Sequence, residues 1–336
     1  MSAYYCGIDL ANKTSSICVL GPGHELVRAC EVPTSFEGFQ EGLQGLTQLR
    51  CIVEASPLAE WACGMLRRLG QEAVIIDAKK AKGVIAAKKK TDAIDAEKLA
   101  RLALTGWYNP VHEKSAQGRW LRSLLQARNG LVSGATAANN RIRGLLRAHG
   151  IQVGIAQGDA FGPRVQELLQ DEAKELTPVI LPLLVVWQVQ RNEVAKLTGC
   201  LEEMAKRDAT AKRLMTAPGV GPLVALSFMA TVDDPHRFTK GDQLAAYLGL
   251  VPAVYQSGER CVYGRITHEG DKMLRWLLAE SAHIVLHRLK RSCELADWGR
   301  ALAERKGPSK AKAAVARKLA KILLSLWKEQ RNFAWT

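Results

Sequence analysis

Several things missing from this 336-residue sequence narrow it before anything present does. None of the eight cysteines (Cys6, Cys18, Cys30, Cys51, Cys63, Cys200, Cys261, Cys293) forms a C-x-x-C pair, which sets a zinc module aside. Most of them lie in apolar surroundings, as reduced core thiols do. The opening residues lack the basic n-region and apolar h-region of a signal peptide. No apolar run reaches membrane-spanning length, and the best candidate, Val179 to Trp187, contains Pro182. The expectation is a soluble cytoplasmic chain with no membrane partner. Acidic residues are scarce: 33 Asp+Glu face 47 Lys+Arg, a net charge of +14. That surplus favours polyanions, with nucleic acid as the leading partner class and a basic enzyme without one as the alternative. The 47% apolar and 24% charged fractions are those of an ordinary globular protein, long enough for two or three domains.

What is present begins with strands. Tyr4 to Leu10, Ser15 to Leu20 and Leu26 to Val32 read as strands, the second closed by Gly21-Pro22-Gly23. Phe36 to Leu49 and Leu58 to Leu69 have helical periodicity, with short strands at 51–54 and 73–77. A helix should open after Thr91, a good N-cap, and run to about Leu104. Three strands, then helix and strand in alternation, predict a mixed α/β domain. Beyond it the spacing predicts a long helix from Ser115 to His149 carrying Arg122, Arg128, Arg141, Arg143 and Arg147. Residues 150–163 read as a bend. Leu176 to Arg207 reads as one arm of a helical hairpin or coiled coil, suited to self-association or to core packing.

Acids fall at telling places in that plan. Asp9 and Glu54 end strands, where such sheets place chemistry, and Asp92 and Asp95 share one helix face. Asp77 also ends a strand but reads as a loop acid, having no partner at helical spacing. Acids in a first helical turn also simply suit the helix macrodipole. Four clustered carboxylates repel one another unless cations lie between them, and hard divalent ions prefer oxygen ligands. With two Mg²⁺ ions about 3.5–4 Å apart, such a set serves in-line displacement at phosphorus. Lys88, Lys89 and Lys90 stand next to the second pair.

The far half carries a second group of signals. Pro218-Gly219-Val220-Gly221 is a turn between helices whose glycines, Gly219 and Gly221, let backbone amides approach a phosphate, or simply connect the helices. Ser257 precedes a glycine, in the manner of an exposed turn serine. Arg260, Arg265, Lys272 and Arg275 are near enough in sequence to surround a phosphate, the charge that a serine nucleophile needs. His283 and His287 are spaced four apart on a helix and read as a packed or solvated face. The tail from Ser309 to Lys328 is a basic helix with an apolar face, its lysines free for phosphates or merely solvated.

Together these residues resemble the DEDD-type insertion-sequence transposases of the IS-one-ten family, which includes the pilin-gene invertases. The resemblance rests on Gly7-Ile8-Asp9, Val53-Glu54-Ala55, Lys90-Thr91-Asp92-Ala93-Ile94-Asp95-Ala96 and Pro218-Gly219-Val220-Gly221. Leu244 through Pro252, Ser257-Gly258, Gly264-Arg265-Ile266-Thr267, Gly270-Asp271-Lys272 and Leu274-Arg275 complete it, in a form closest to the eleven-eleven branch. Ala55-Ser56-Pro57-Leu58 and His268-Glu269 depart from the usual pattern. The resemblance implies a RuvC-like domain of ribonuclease H fold over 1–112, with Asp9, Glu54, Asp92 and Asp95 holding about two Mg²⁺ ions, replaceable by Mn²⁺. It implies a long-helix, coiled-coil dimerisation region over 113–208. Over 209–336 it implies a mainly α transposase domain with a helix-hairpin-helix-like motif and Ser257 as nucleophile. Expected partners are double-stranded DNA of element ends and target, a structured guide RNA (bridge or seek RNA), and further copies of the chain as a dimer assembling to a tetramer. The setting would be the bacterial cytoplasm, at the nucleoid. The competing readings are a Holliday-junction-type Mg²⁺ endonuclease, a site-specific DNA invertase, and an inactive nucleic-acid binder.

Overall fold

The structure, a computed structural model, describes residues 4–77, 92–257 and 260–335, with the backbone alone at Ser257 and Arg260. Lys88, Lys89 and Lys90 therefore lie outside the described residues. The chain divides into two compact units, Met1–Glu113 and Lys114–Thr336.

The first unit is built on a five-stranded sheet. Its strands are β1 (Tyr4–Leu10), β2 (Thr14–Leu20), β3 (Leu26–Pro33), β4 (Leu49–Glu54) and β5 (Glu72–Ile76), in the order β3-β2-β1-β4-β5. The first three pair antiparallel, while β4 runs parallel to both β1 and β5. The switch follows from the connections. Gly21-Pro22-Gly23 permits a tight reversal, whereas α1 (Phe36–Gly42) and α2 (Ala59–Arg68) are crossovers that return the chain in the same direction.

Period-two alternation sorts the side chains. Cys6 and Ile8 of β1 join Cys51 and Val53 of β4 in a core closed by Phe39, Ala62, Cys63 and Leu66 from α1 and α2. The opposite face is covered by α3 (Asp92–Thr105), whose Leu99 and Leu102 pack on Ile52 and Ile76. Its Ala96 and Ala100 meet Cys18 and Leu20. The helix expected to reach Leu49 ends at Gly42. Gly38 and Gly42 weaken it, Gly45 takes a left-handed φ of 78°, and Leu49 is claimed by the sheet.

The second unit hangs on two long helices, α4 (Ala116–Ala148) and α6 (Thr177–Arg207), which pack along each other. Cores form at both ends of the pair. At one end Ile142 and Leu146 meet α5 (Phe161–Asp171) together with Ile180, Leu184 and Trp187. At the other, Leu121, Leu125, Leu201 and Ala205 join α7 (Ala209–Leu214), α8 (Pro222–Val232), α9 (Gly241–Tyr247), α10 (Lys272–His287), α11 (Glu294–Lys306) and α12 (Pro308–Lys328). Between α9 and α10 stands a hairpin, β6 (Pro252–Ser257) with β7 (Arg260–Ile266). Among the described residues no helix is long and apolar enough to cross a membrane.

Candidate active site

The sheet decides where the first acids point. Asp9 alternates with Gly7, and Glu54 with Ile52, so both belong to the face covered by α3. Their strands are parallel neighbours, and each acid stands one residue past the paired Ile8 and Val53. Gly7 makes the helix approach possible: a Cβ there would lie 2.0 Å from the Ala96 carbonyl oxygen and 2.3 Å from the Ala100 nitrogen. Only glycine lets α3 lie against β1 at that distance.

The helix runs against β1. Leu102 and Ala103 pack near Tyr5 at the strand's start, and Ala96 crosses Gly7. The first turn of α3, with Asp92 and Asp95, therefore lies toward the Asp9 end. Asp92 is exposed, and Asp95 is half-buried and ion-paired to Lys98 at 2.6 Å. Among the described residues no three His, Cys, Asp or Glu side chains are gathered closely enough to hold a metal ion. The donor chemistry fits a hard divalent ion all the same. All of these acids offer oxygen ligands only, and the Lys98 ammonium on Asp95 is a cation already held by one of them.

In the second unit, the backbone of Ser257 pairs with that of Arg260 as the last described pair of the β6–β7 ladder. The hairpin is exposed on both faces: Tyr255 is 68% and Tyr263 70% accessible. Its root is fixed by backbone contacts. A Cβ on Gly249 (φ 65°) would meet the Glu269 carbonyl oxygen at 2.2 Å, and one on Gly270 (φ 71°) the Tyr247 carbonyl oxygen at 2.1 Å. Thr267 N–H donates to the Val251 carbonyl at 2.9 Å. Arg275 donates to the Leu248 carbonyl at 3.3 Å and also to that of Glu269. Asp271 caps α10 by accepting from Leu274 N–H at 2.8 Å, and pairs with Arg122 at 2.9 Å. Arg265 and Lys272 are exposed.

The Pro218–Gly221 turn joins α7 to α8. Gly219 (φ 73°) packs on the Ser281 carbonyl, 2.7 Å from where a Cβ would be, whereas Gly221 faces open space at the start of α8. Of the six α4 arginines, Arg119, Arg122, Arg128 and Arg143 have partners within the unit, Arg119 donating to the Lys114 carbonyl at 2.8 Å. Besides Arg122, Arg128 donates to the Thr198 hydroxyl at 2.7 Å, and burial lowers its pKa. Arg143 donates to the Gly154 carbonyl at 2.9 Å. Arg141 and Arg147 are exposed. The tail helix is likewise paired: Lys312 with Glu280 at 3.1 Å, and Arg317 and Lys321 with Asp242 at 2.7 and 3.2 Å. The β6–β7 hairpin is what the motif reading missed, although the run of Val, Tyr and Cys in 253–263 is the composition of a strand pair.

Two family models match the chain in order: a DEDD-type IS110 transposase model over residues 6–151, and that of the IS116/IS110/IS902 family of transposases over 211–296. The chain is 34% identical over 250 residues to the transposase for insertion sequence element IS1111A of Coxiella burnetii, covering 73% of this chain and 68% of that one. The chain belongs to the IS110 family of transposases. This transposase is also 30% identical over 286 residues to a probable family 20 transposase of Pseudomonas aeruginosa, covering 82% and 83% of the two chains. To the pilin gene-inverting protein of Moraxella bovis it is 26% identical over 300 residues, covering 85% and 84%. It is thus a DNA transposase or recombinase, and a DEDD domain of this kind points to a divalent metal.

Proposed function

We propose that this transposase is an RNA-guided recombinase that cleaves and exchanges DNA strands of a mobile element and its target. Asp9, Glu54, Asp92 and Asp95 hold Mg²⁺, and Ser257 is the nucleophile. The observation that carries the reading is the α3 face of the sheet, to which Asp9 and Glu54 both belong and toward whose Asp9 end the Asp92/Asp95 turn lies. The strand order β3-β2-β1-β4-β5, antiparallel then parallel, supports a RuvC-like ribonuclease H fold.

In this scheme Mg²⁺, or Mn²⁺ in its place, supplies positive charge at the scissile phosphate when bound. The Ser257 Oγ bonds to phosphorus as the bond to the departing sugar oxygen breaks, and strand exchange reverses that step on a new partner. Lys88, Lys89, Lys90, Arg260, Arg265, Lys272 and Arg275, with the amides around Gly219 and Gly221, contact the nucleic-acid backbone. Exposure of Arg265 and Lys272 suits this role. A structured guide RNA pairs with donor and target, leaving the protein to hold shape and charge, and the +14 net charge suits both nucleic acids. Residues 1–112 act as the carboxylate domain, 113–208 as the dimerisation region and 209–336 as the serine domain. Val185, Val186 and Val189, half exposed on α6, offer an apolar face through which dimers assemble toward tetramers.

The test is a trapping experiment with guide RNA and element-end DNA. The unaltered protein should yield a covalent protein–DNA adduct and exchanged strands. Ser257→Ala should yield neither while still binding DNA and RNA. Full exchange by that variant would remove the nucleophile assignment, and hydrolysis without an adduct would favour the Holliday-junction-type nuclease. The likeness to the pilin gene-inverting protein of Moraxella bovis favours inversion as a second outcome, which junction sequencing would reveal.

A further inference from the structure

We infer that the second unit carries a pocket for one unpaired DNA nucleotide, formed where α4, α8 and the start of α10 meet. The cavity measures about 600 Å³, within the range of small-ligand sites. Ser227, 3% exposed, lines it, and its hydroxyl oxygen has no hydrogen-bond partner among the described residues. A helical serine ordinarily donates to the carbonyl four residues back, as Ser281 does to Leu277 at 3.0 Å. Ser227 does not, and its buried hydroxyl stays unpartnered in the cavity wall.

The remaining lining has a consistent chemistry. Gln126 and Asn129 sit three apart on α4 and bring amide groups, each with a donor side and an acceptor side. Trp276, 59% exposed, supplies an indole face. Lys272 adds positive charge, and Arg122 offers guanidinium donors although its charge is offset by Asp271, which also lines the cavity and pairs with it at 2.9 Å. A free phosphate has no use for an indole and two amides. A purely apolar ligand would leave Ser227, Gln126 and Asn129 without partners. A planar base with a polar edge and a phosphate attached uses all of them.

This inference rests on the reading that the protein exchanges DNA strands, since exchange leaves nucleotides transiently unpaired. It goes beyond that reading by giving such a nucleotide a place of its own, which shares only Lys272 with the cations assigned to the serine site. The test measures binding of the 336-residue chain to labelled DNA of one sequence, either fully paired or carrying a single-nucleotide bulge, and to an RNA duplex with the same bulge. Bulged DNA should bind roughly tenfold tighter than paired DNA. Trp276→Ala should abolish that preference, Trp276→Phe should keep most of it, and Ser227→Ala should weaken it roughly threefold. Binding of paired DNA should change less than about twofold in all three variants. Equal binding of bulged and paired DNA, or a preference that survives both alanine variants, overturns the pocket alone. A preference confined to bulged RNA overturns its assignment to DNA. Failure to bind even paired DNA would remove the strand-exchange reading and the pocket with it.

Discussion

In the unit ending at Glu113, the residues that stand out in the sequence are acids, and the fold sets Asp9 and Glu54 on the face that α3 covers. In the unit beginning at Lys114, most of the residues that stand out build the scaffold. Gly249 and Gly270 close backbone on backbone, Asp271 caps a helix, and Arg275 clasps two carbonyls. The same density of recognisable motif therefore leaves acids on a shared sheet face in one unit and builds mostly architecture in the other. A motif whose glycines press against carbonyl oxygens is first a packing device, and its charged members have to be judged by where their donors already go.

That contrast can be broken experimentally, and the largest effect is expected where the first unit does depend on packing. Gly7→Val forces a side chain into the Ala96 carbonyl and should cost about 3 kcal/mol or more in denaturant unfolding. A near-neutral result would mean that α3 does not lie on β1 as described. Next comes a change that keeps the side chain's size: Asp9→Asn should lower strand transfer at least about a hundredfold while leaving the melting temperature within a few degrees. Retained transfer would show that the strand-end acid is not part of the chemistry.

Smaller effects sharpen the comparison. Lys98→Gln frees Asp95 from its amine, and Mn²⁺ binding followed by calorimetry should tighten by about two- to fivefold, the scale of a partly exposed ion pair. In the second unit Asp271→Ala removes a cap and should cost about 1 kcal/mol, an architectural loss at a residue inside a recognisable motif. Smallest is a pH effect. Arg317 and then Lys321 hold the exposed Asp242 carboxyl below its ordinary range. A depressed folded-state pKa stabilises above the unfolded value and is lost as pH falls through the folded one. A slight melting-temperature advantage over Asp242→Asn at pH 7 should therefore fade below about pH 4. An advantage that grew on acidification would reverse the assignment.

Much of this was legible in the sequence because the signals are local. Strand alternation and the helical periodicity of 92–104, 115–149 and 176–207 mark elements that the structure contains within a residue or two, while the expected Thr91 cap lies outside the described residues. The end of α1 was not legible, since Leu49 fits a helix face as well as a strand and only pairing with Tyr4 decides it. The pairing of basic residues escaped for a similar reason. Arg122 with Asp271, and Arg317 with Asp242, join positions 149 and 75 residues apart, which no spacing rule reaches. The cavity around Ser227 draws on three helices at once and had no one-dimensional signature.

One consequence follows from the footing of the β6–β7 hairpin. Gly249 abuts Glu269 and Gly270 abuts Tyr247, so each glycine guards the segment that contains the other. The two locks are reciprocal and lie below the ladder, outside residues 252–266. The exit point of the arm is thereby independent of what the arm is made of. A ribbon of different length or tip chemistry grafted between Pro252 and Ile266 would leave the helical body at the same place and in the same direction.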